Sequence, residues 1–150
     1  MKTKTYKTLL AVVVFVALGL FTLNPAFAVS DCNLVCEGSF VIDVNDAVGD
    51  LAALSGCTSV TGSLSINYSP LTSLEGLECL THVGGLLDIY KNPSLTSLAA
   101  LDNITSVGGD LRIRRNYELC TSLAEALRDQ VLDAGGIGGS TNISDNRPGC

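Results

Sequence analysis

Few side chains in this 150-residue sequence have the type and spacing that catalysis requires. His82 is the only histidine, and its place just before Val83 predicts an exposed corner residue rather than a general base. Asp43 and Asp88 are predicted to lie two strands apart, roughly 10 Å, which is too far for a retaining glycosidase pair and marginal for an inverting one. No Gly-x-Ser-x-Gly, P-loop or His-Glu-x-x-His motif is present. We therefore expect a protein that is not an enzyme and that uses no cofactor.

The cysteines predict disulfide chemistry rather than metal or redox chemistry. Cys32-x-x-x-Cys36 is an isolated pair without the further cysteines or histidines that zinc needs, and no Cys-x-x-Cys motif occurs. An even number in an oxidising compartment favours disulfides and no metal site. The six cysteines are Cys32, Cys36, Cys57, Cys79, Cys120 and Cys150.

The first 28 residues have the pattern of a secretory signal peptide. Three lysines precede an apolar run from Leu9 to Leu23, and Ala26-Phe27-Ala28 is a small-x-small cleavage pattern before Val29. A permanent membrane anchor is the alternative, but the run is shorter than the ~20 residues that span a bilayer. We expect a secreted or extracellular protein, in the periplasm or at the cell surface if the source is bacterial, without a membrane span after cleavage.

Composition excludes two classes of protein. Hydrophobic residues make up 47% and charged residues 16% of the chain, which is too apolar and too weakly charged for intrinsic disorder. Loss of three lysines with the signal peptide leaves six basic residues against 15 acidic ones, a net charge of −9. Such a charge argues against binding to nucleic-acid backbones.

The elements that position the remaining polar residues come from a repeat of about 24 residues. The segments Val60–Ile66, Val83–Ile89 and Val107–Ile113 align with steps of 23 and 24 residues, and Cys36–Ile42 is a fainter copy. A period of this length predicts a solenoid. The Leu-x-Ile core of each unit alternates with period two, which predicts short strands that stack into a parallel sheet.

Between the strands, apolar residues recur every three positions. Steps of three drift by about 60° on an α-helix, so the pattern excludes one long helix and predicts irregular extended or 3₁₀ return arcs. An asparagine three residues after each inward isoleucine predicts a ladder that lines the turns; its members are Asn45, Asn92, Asn116 and Asn146. The second unit has Asn67-Tyr68-Ser69 at this corner and is expected to turn irregularly.

Both ends of a solenoid need caps. Ser122-x-x-Glu125 is a capping-box pattern ahead of helical spacing, so we predict a capping helix over 123–134 and a last rung at about 140–146. We expect Cys120 to pair with Cys150 across this cap, and Cys36 with Cys57 at neighbouring corners of the first units. Cys32 and Cys79 remain by subtraction, with a free thiol at Cys79 as the alternative.

The outward positions of the predicted sheet form the candidate ligand-binding face. Successive strands present Val41 and Asp43, then the six candidate site residues Ser65, Asn67, Asp88, Tyr90, Arg112 and Arg114. Lateral neighbours predict a salt bridge between Asp88 and Arg112 and a cation–π contact between Tyr90 and Arg114. With one tyrosine and no tryptophan, this face lacks the aromatic anchors of a tight protein or sugar site. A solvated ladder of charges without a ligand is the alternative interpretation.

These motifs resemble the receptor L-domain family. The similarity lies in Cys36-Glu-Gly, in the Leu51-x-x-Leu54-x-x-Cys57 pattern that leads to Leu64-x-Ile66, in two Leu-Thr-Ser-Leu units and in the Val-Gly-Gly strands, and it extends over residues 32–150. The resemblance implies a right-handed solenoid like that of leucine-rich repeats and a Cys36–Cys57 bridge, but no particular ligand. The chain is most similar to the short, stand-alone secreted bacterial form, without a second L-domain, a cysteine-rich module or a lipid-anchor tail.

Three functions follow as hypotheses. The first is a recognition or adhesion module that binds an extracellular protein or polysaccharide through the outer sheet face. The second is a structural protein of the cell envelope or matrix without a discrete ligand. The third and most remote is ice binding by threonine columns, formed by Thr58, Thr81 and Thr105 at one corner and by Thr72 and Thr96 at another. The Asn-x-Ser/Thr sequons at Asn67, Asn103 and Asn142 are most simply chance occurrences in a chain rich in these residues.

Overall fold

The computed structural model describes residues 31–150. The predicted signal peptide lies outside the described residues. Within the described part, ten strands fall into two parallel five-stranded sheets, accompanied by two α-helices and one 3₁₀ turn. The strands alternate between the sheets in chain order, so each repeat contributes one strand to each sheet.

The first sheet, sheet A, has the order β1-β3-β5-β7-β9. Its strands are β1 (Leu34–Cys36), β3 (Cys57–Val60), β5 (His82–Val83), β7 (Ser106–Val107) and β9 (Gly136–Ile137). The second sheet, sheet B, has the order β2-β4-β6-β8-β10. Its strands are β2 (Phe40–Ile42), β4 (Leu64–Asn67), β6 (Leu87–Tyr90), β8 (Leu111–Arg114) and β10 (Thr141–Ser144).

The register of sheet B follows directly from the 24-residue period. Leu64 lies opposite Leu87 and Leu87 opposite Leu111, and the isoleucines two positions later pair in the same way. Because side chains alternate across a strand, these leucines and isoleucines all point into the core, where they are fully buried. The residues between and after them point outward, as the period-two pattern predicts.

The return arcs carry the leucines spaced by three. Leu74, Leu77 and Leu80 are buried, and the backbone N–H groups of Leu77 and Leu80 donate to carbonyls three residues earlier. The next arc repeats this arrangement and contains the 3₁₀ turn Ala99–Leu101. Tight turns of this kind bring every third residue to the same side, which explains how steps of three stay in the core.

Two α-helices complete the fold, and one of them is absent from the sequence prediction. Helix α1 (Ala47–Leu54) begins after Asp46, whose side chain accepts a hydrogen bond from the N–H of Gly49. Helix α2 (Thr121–Ala134) starts two residues before the predicted boundary. The predicted capping box is wrong, because Cys120 is the N-cap residue without a side-chain bond, and Ser122 lies inside the helix and donates to the carbonyl of Cys150.

The turn that follows sheet B contains a buried polar ladder. Asn92, Asn116 and Asn146 are buried at this turn, and each amide oxygen accepts hydrogen bonds from the corresponding residue of the preceding repeat. Each side-chain NH₂ donates to the carbonyl of a strand isoleucine one repeat back, for example from Asn92 to Ile66 at 2.8 Å. Buried backbone groups are thereby paired at a turn that water does not reach.

The first two ladder positions differ from the sequence prediction. Asn45 is exposed and donates to the Asp43 carboxylate, so it is not a ladder member. Ser69 takes the ladder position of the second repeat, where its N–H donates to Asn92 at 2.9 Å. Its corner is regular rather than irregular, because the residue before it has the same positive φ as the residue before each ladder asparagine.

Three disulfides tie the described chain. Cys32 pairs with Cys79, Cys36 with Cys57, and Cys120 with Cys150, at Cα–Cα distances of 5.2, 5.8 and 5.7 Å. No cysteine within residues 31–150 is free. Two bridges lie at the N-terminal end of the sheets, and the third joins the start of α2 to the last residue of the chain.

Candidate functional site

The outward face of sheet B brings the six predicted site residues together in two rows. The ladder register places Ser65, Asp88 and Arg112 side by side, and Asn67, Tyr90 and Arg114 beside them two residues along each strand. All six are half-buried, because neighbouring side chains on adjacent strands cover each other. The face is therefore a continuous layer of polar, aromatic and charged groups.

The ion pairs of this face differ from the predicted lateral pair. Asp88 lies opposite Arg112, but it pairs with the diagonal Arg114 at 3.3 Å. Arg112 instead pairs with Asp110 at 2.6 Å. Diagonal positions lie farther away than lateral ones but are still within reach of a long side chain such as arginine, so strand register alone does not decide the partner.

Asp110 is held as a carboxylate by Ser140, the residue directly before the last strand of sheet B. The backbone N–H and the hydroxyl of Ser140 donate to its Oδ1 at 2.7 and 3.0 Å. Hydrogen bonds from the Ser140 backbone, from Arg112 and from the Ser140 hydroxyl lower the pKa of Asp110 below its usual range. Arg112 therefore has a fixed negative partner and less charge to offer a ligand.

The predicted cation–π contact is present and belongs to a larger cluster. The guanidinium carbon of Arg114 lies 5.0 Å from the centre of the Tyr90 ring. Tyr68 meets Tyr90 edge to face with ring centres 5.5 Å apart. The ammonium of Lys91 lies 5.2 Å from one ring centre and 5.3 Å from the other. Arg115 contributes a fourth such contact, 5.9 Å from the Tyr90 ring, and its guanidinium donates to the Tyr90 hydroxyl at 3.3 Å.

We call this cluster the aromatic–basic corner and define it by Tyr68, Tyr90, Lys91, Arg115 and Tyr117. It corrects the prediction that the region lacks aromatic anchors, because three tyrosines gather where the strand pattern identified one. A surface cavity of about 280 Å³ opens at the corner. Its lining residues are Tyr68, Lys91, Pro93, Arg115 and Tyr117.

The backbone explains why these side chains point outward. Tyr68, Lys91 and Arg115 each follow the last residue of a sheet B strand, and they have φ values of 57°, 53° and 58°. This left-handed conformation is unfavourable for residues other than glycine and asparagine. It recurs at Asp145, with φ of 56°, so it is a property of the turn before every ladder position. The sequence carries the signal for Tyr68, Lys91 and Arg115, since these residues are 23 and 24 positions apart, but period-two alternation ends at the residue before them.

Electrostatic interactions at the corner stabilise its positive charge. Hydrogen bonding to Tyr90, together with Coulombic interactions with Tyr68 and Tyr90, raises the pKa of Lys91. Partial burial acts to raise the pKa of Tyr90, but hydrogen bonds to Lys91 and Tyr68 and the charges of Lys91 and Arg115 outweigh it, so that this pKa is lowered. Lys91 is thus fully charged at neutral pH, and within residues 31–150 it has no carboxylate at ion-pair distance.

The other candidates have structural surroundings. His82 is exposed in β5 and contacts the hydroxyl of Ser106, its neighbour in sheet A. Asp43 accepts hydrogen bonds from Asn45, and Asp88 is paired with Arg114. Each of these carboxylates is engaged by a different neighbour, so the two are not assembled as a catalytic pair.

The threonine columns bond to the backbone of the preceding repeat. The hydroxyl of Thr81 donates to the carbonyl of Thr58 at 2.9 Å, that of Thr105 to Thr81 at 3.0 Å, and that of Thr96 to Thr72 at 3.1 Å. A hydroxyl with its proton committed to a carbonyl is less able to organise water, and this weakens the ice-binding hypothesis.

Two further properties bear on the class of site. Among the described residues there is no group of histidines, cysteines and carboxylates that could hold a metal ion. The helices within residues 31–150 are too short or too polar for any of them to cross a membrane.

The described chain consists of two parallel sheets built from repeats and tied by three disulfides. Comparison with known families makes this specific, because the model of the receptor L domain family matches residues 31–132. The chain therefore belongs to the receptor L domain family, whose members are extracellular, non-enzymatic, ligand-binding modules. The match ends within α2, so β9, β10 and Asn146 lie beyond it. Among curated proteins, none matches the chain.

Proposed function

We propose that the chain is a secreted, non-catalytic recognition or adhesion module that binds an extracellular protein or glycan through the outward face of sheet B. In this proposal the repeats form a right-handed solenoid like that of leucine-rich repeats, and α2 caps its C-terminal end. Ala124, Leu127 and Val131 support the cap, because they are the buried face of a helix that contacts β7, β9 and β10. Residues 1–28 are the signal peptide, and three disulfides support passage through an oxidising compartment.

One observation carries the binding role. Sheet B presents two rows of polar, aromatic and charged side chains, and Arg114 of β8 lies against an aromatic ring, as do Lys91 and Arg115 directly after β6 and β8. Arginine and tyrosine are the residue types that contribute most to recognition surfaces. A structural protein without a ligand has no need to concentrate them on one face.

The test is a binding screen with a matched charge control. The wild-type protein, produced by secretion so that its disulfides form, is screened against extracellular proteins and polysaccharides. The double variant Arg112→Glu, Arg114→Glu and the control Arg128→Glu are screened in the same way. Arg128 lies on α2 and pairs only with the adjacent Asp129 among the described residues. We expect a ligand that the wild type and the control bind and that the double variant loses, because both substitutions reverse charges on the face.

Two results would overturn the proposal. Binding that survives in the double variant would move recognition away from this face. No ligand for any of the three folded proteins would favour the alternative of an envelope or matrix protein. Ice binding is separable from both, since it predicts thermal hysteresis at millimolar concentration, and the bonded threonine hydroxyls lead us to expect none.

A further inference from the structure

Basic residues are unevenly distributed over the described chain. Residues 31–150 contain six, and four of them lie in β8 or directly after β6 or β8. These four are Lys91, Arg112, Arg114 and Arg115. The remainder of this part of the chain is strongly acidic, so the corner is a local positive site on a negative surface.

The four cations are not equally available to a ligand. Arg112 and Arg114 have the carboxylates of Asp110 and Asp88 beside them. Arg115 has only a long, exposed contact of 3.6 Å with Asp145. Lys91 has no carboxylate partner among the described residues. Lys91 and Arg115 are also the two cations that line the cavity.

Aromatic residues are concentrated at the same place. Three of the four aromatic side chains in residues 31–150 belong to the corner, and Tyr68 and Tyr117 are 53% and 61% exposed. Exposed tyrosine rings offer a partner a large apolar contact area together with a polar hydroxyl. The cavity of about 280 Å³ is at the lower limit of small-molecule sites, which start at about 300 Å³, and it therefore suits one or two units of a polymer.

We propose that the aromatic–basic corner binds an anionic polysaccharide, that is, sugar units that carry carboxylate or sulfate groups. This proposal rests on the recognition function above and names its ligand class. The apolar face of a sugar ring packs on Tyr68 or Tyr117, and Lys91 and Arg115 form charge-assisted hydrogen bonds with the acidic group. Both kinds of contact are present within one cavity, which is what an acidic sugar requires and a neutral one does not.

An acidic peptide fits the corner less well. Extended peptides gain affinity by adding a strand to a free sheet edge. At the corner the backbone N–H groups of Tyr68, Lys91 and Arg115 already donate to the next repeat, each at 3.1 Å. The ligand must therefore be recognised by side chains alone, through ring faces and cations.

The experiment compares polymers on the secreted, oxidised protein by titration calorimetry. The probes are polygalacturonate for carboxylates, dextran sulfate for sulfates, dextran as the neutral control and poly-glutamate as the acidic peptide. We expect binding to at least one anionic polysaccharide, none to dextran and weaker binding to poly-glutamate. The two anionic arms distinguish carboxylate from sulfate recognition.

Variants place the binding at the corner. Lys91→Gln keeps a polar side chain of similar length but removes the charge, and we expect affinity to fall about tenfold, the loss of one charge-assisted contact. Lys91→Arg should restore it. Tyr117→Leu should weaken binding through loss of the ring, and Arg128→Gln on α2 should leave it unchanged. An equal loss in Arg128→Gln would mean diffuse charge attraction and would overturn the assignment.

The remaining outcomes separate this inference from the proposed function. Equal binding of dextran, or tighter binding of poly-glutamate, rejects the ligand class and leaves a recognition role intact. A ligand lost in the Arg112→Glu, Arg114→Glu variant but retained in Lys91→Gln keeps recognition on sheet B and removes it from the corner. If no probe and no member of the broader panel binds, both proposals fail.

Discussion

Sheets A and B are built from the same repeats but use their residues in opposite ways. Sheet A has two-residue strands at β5, β7 and β9, each followed by a pair of glycines. Sheet B has four-residue strands at β4, β6, β8 and β10, and the outward side chains of β6 and β8 carry charges and the Tyr90 ring. The first sheet brings the backbones of successive repeats together, and the second presents side chains.

The glycines show how tight the backbone contact on sheet A is. A Cβ at Gly84, Gly108 or Gly138 would lie far inside van der Waals contact of a backbone carbonyl of the preceding repeat. No side chain fits there, so this side of the fold has little freedom to change. Sheet B has no such restriction on its outward positions, and binding chemistry is expected where the fold tolerates variation.

Among the substitutions that test this comparison, Gly108→Ala has the largest expected effect on stability. Its Cβ would meet the carbonyl oxygen of Gly84, and we expect the free energy of unfolding to fall by about 4 kcal/mol or more, in the range of severe overpacking. The measurement is guanidinium unfolding with the disulfides intact. Ser65→Ala, on the outward face of sheet B, is the matched control and should change stability by less than about 0.5 kcal/mol. Equal effects would contradict the division between the sheets.

Asn116→Ala sharpens the comparison within sheet B, between its buried turn and its exposed face. The substitution removes the acceptor of the Asn92 N–H and NH₂ groups and the donor to the carbonyl of Ile89. Leaving these groups unpaired should destabilise the protein by about 3 kcal/mol. Asn142, exposed on β10, provides the control, because Asn142→Ala should have little effect in the same unfolding experiment. If Asn116→Ala lowers the free energy of unfolding no more than Asn142→Ala does, the ladder is dispensable for stability.

The smallest expected effect has the opposite sign. Lys91→Gly removes a side chain from a left-handed residue with φ of 53°, and we expect it to raise the free energy of unfolding by about 1 kcal/mol. Lys91→Ala is the control, since it loses the same charge but keeps the strained backbone and should not be stabilised. Both variants are also compared in polysaccharide binding. If both bind more weakly and only the glycine variant is more stable, then the left-handed backbone at Lys91 costs stability but holds the lysine side chain where it binds the ligand. Lower stability of the glycine variant would contradict this.

Much of the fold is predictable from sequence because the period of the repeats in the sequence is also the spacing at which they stack in the structure. Leu64, Leu87 and Leu111 lie opposite one another because the repeat length is nearly constant, and this fixes register as well as burial. Helix α1 was not predictable from the same pattern. Leu51, Leu54 and Cys57 have the same spacing of three that forms tight turns in later repeats. Over eight residues this spacing stays close to one face of an α-helix, so it does not distinguish a short helix from such turns.

The site is only half predictable for a related reason. Tyr90 and Arg114 follow from strand alternation, and their contact follows from register. Tyr68, Lys91 and Arg115 lie one residue past the strands, where the backbone becomes left-handed and alternation no longer gives the direction of a side chain. The diagonal pairing of Asp88 with Arg114 depends on rotamers, which the sequence pattern does not contain.

The asparagine ladder also has a direction, and this matters when the chain leaves the ribosome. Every ladder oxygen accepts a hydrogen bond from the repeat before it. The N–H of Ser69 therefore has no acceptor until Asn92 is in place, that of Asn92 none until Asn116, and that of Asn116 none until Asn146. Each turn is therefore completed by a segment synthesised after it. Growth from the N-terminus leaves one open turn at the newest repeat until the next repeat arrives, and only Asn146, beyond the last helix, completes the series.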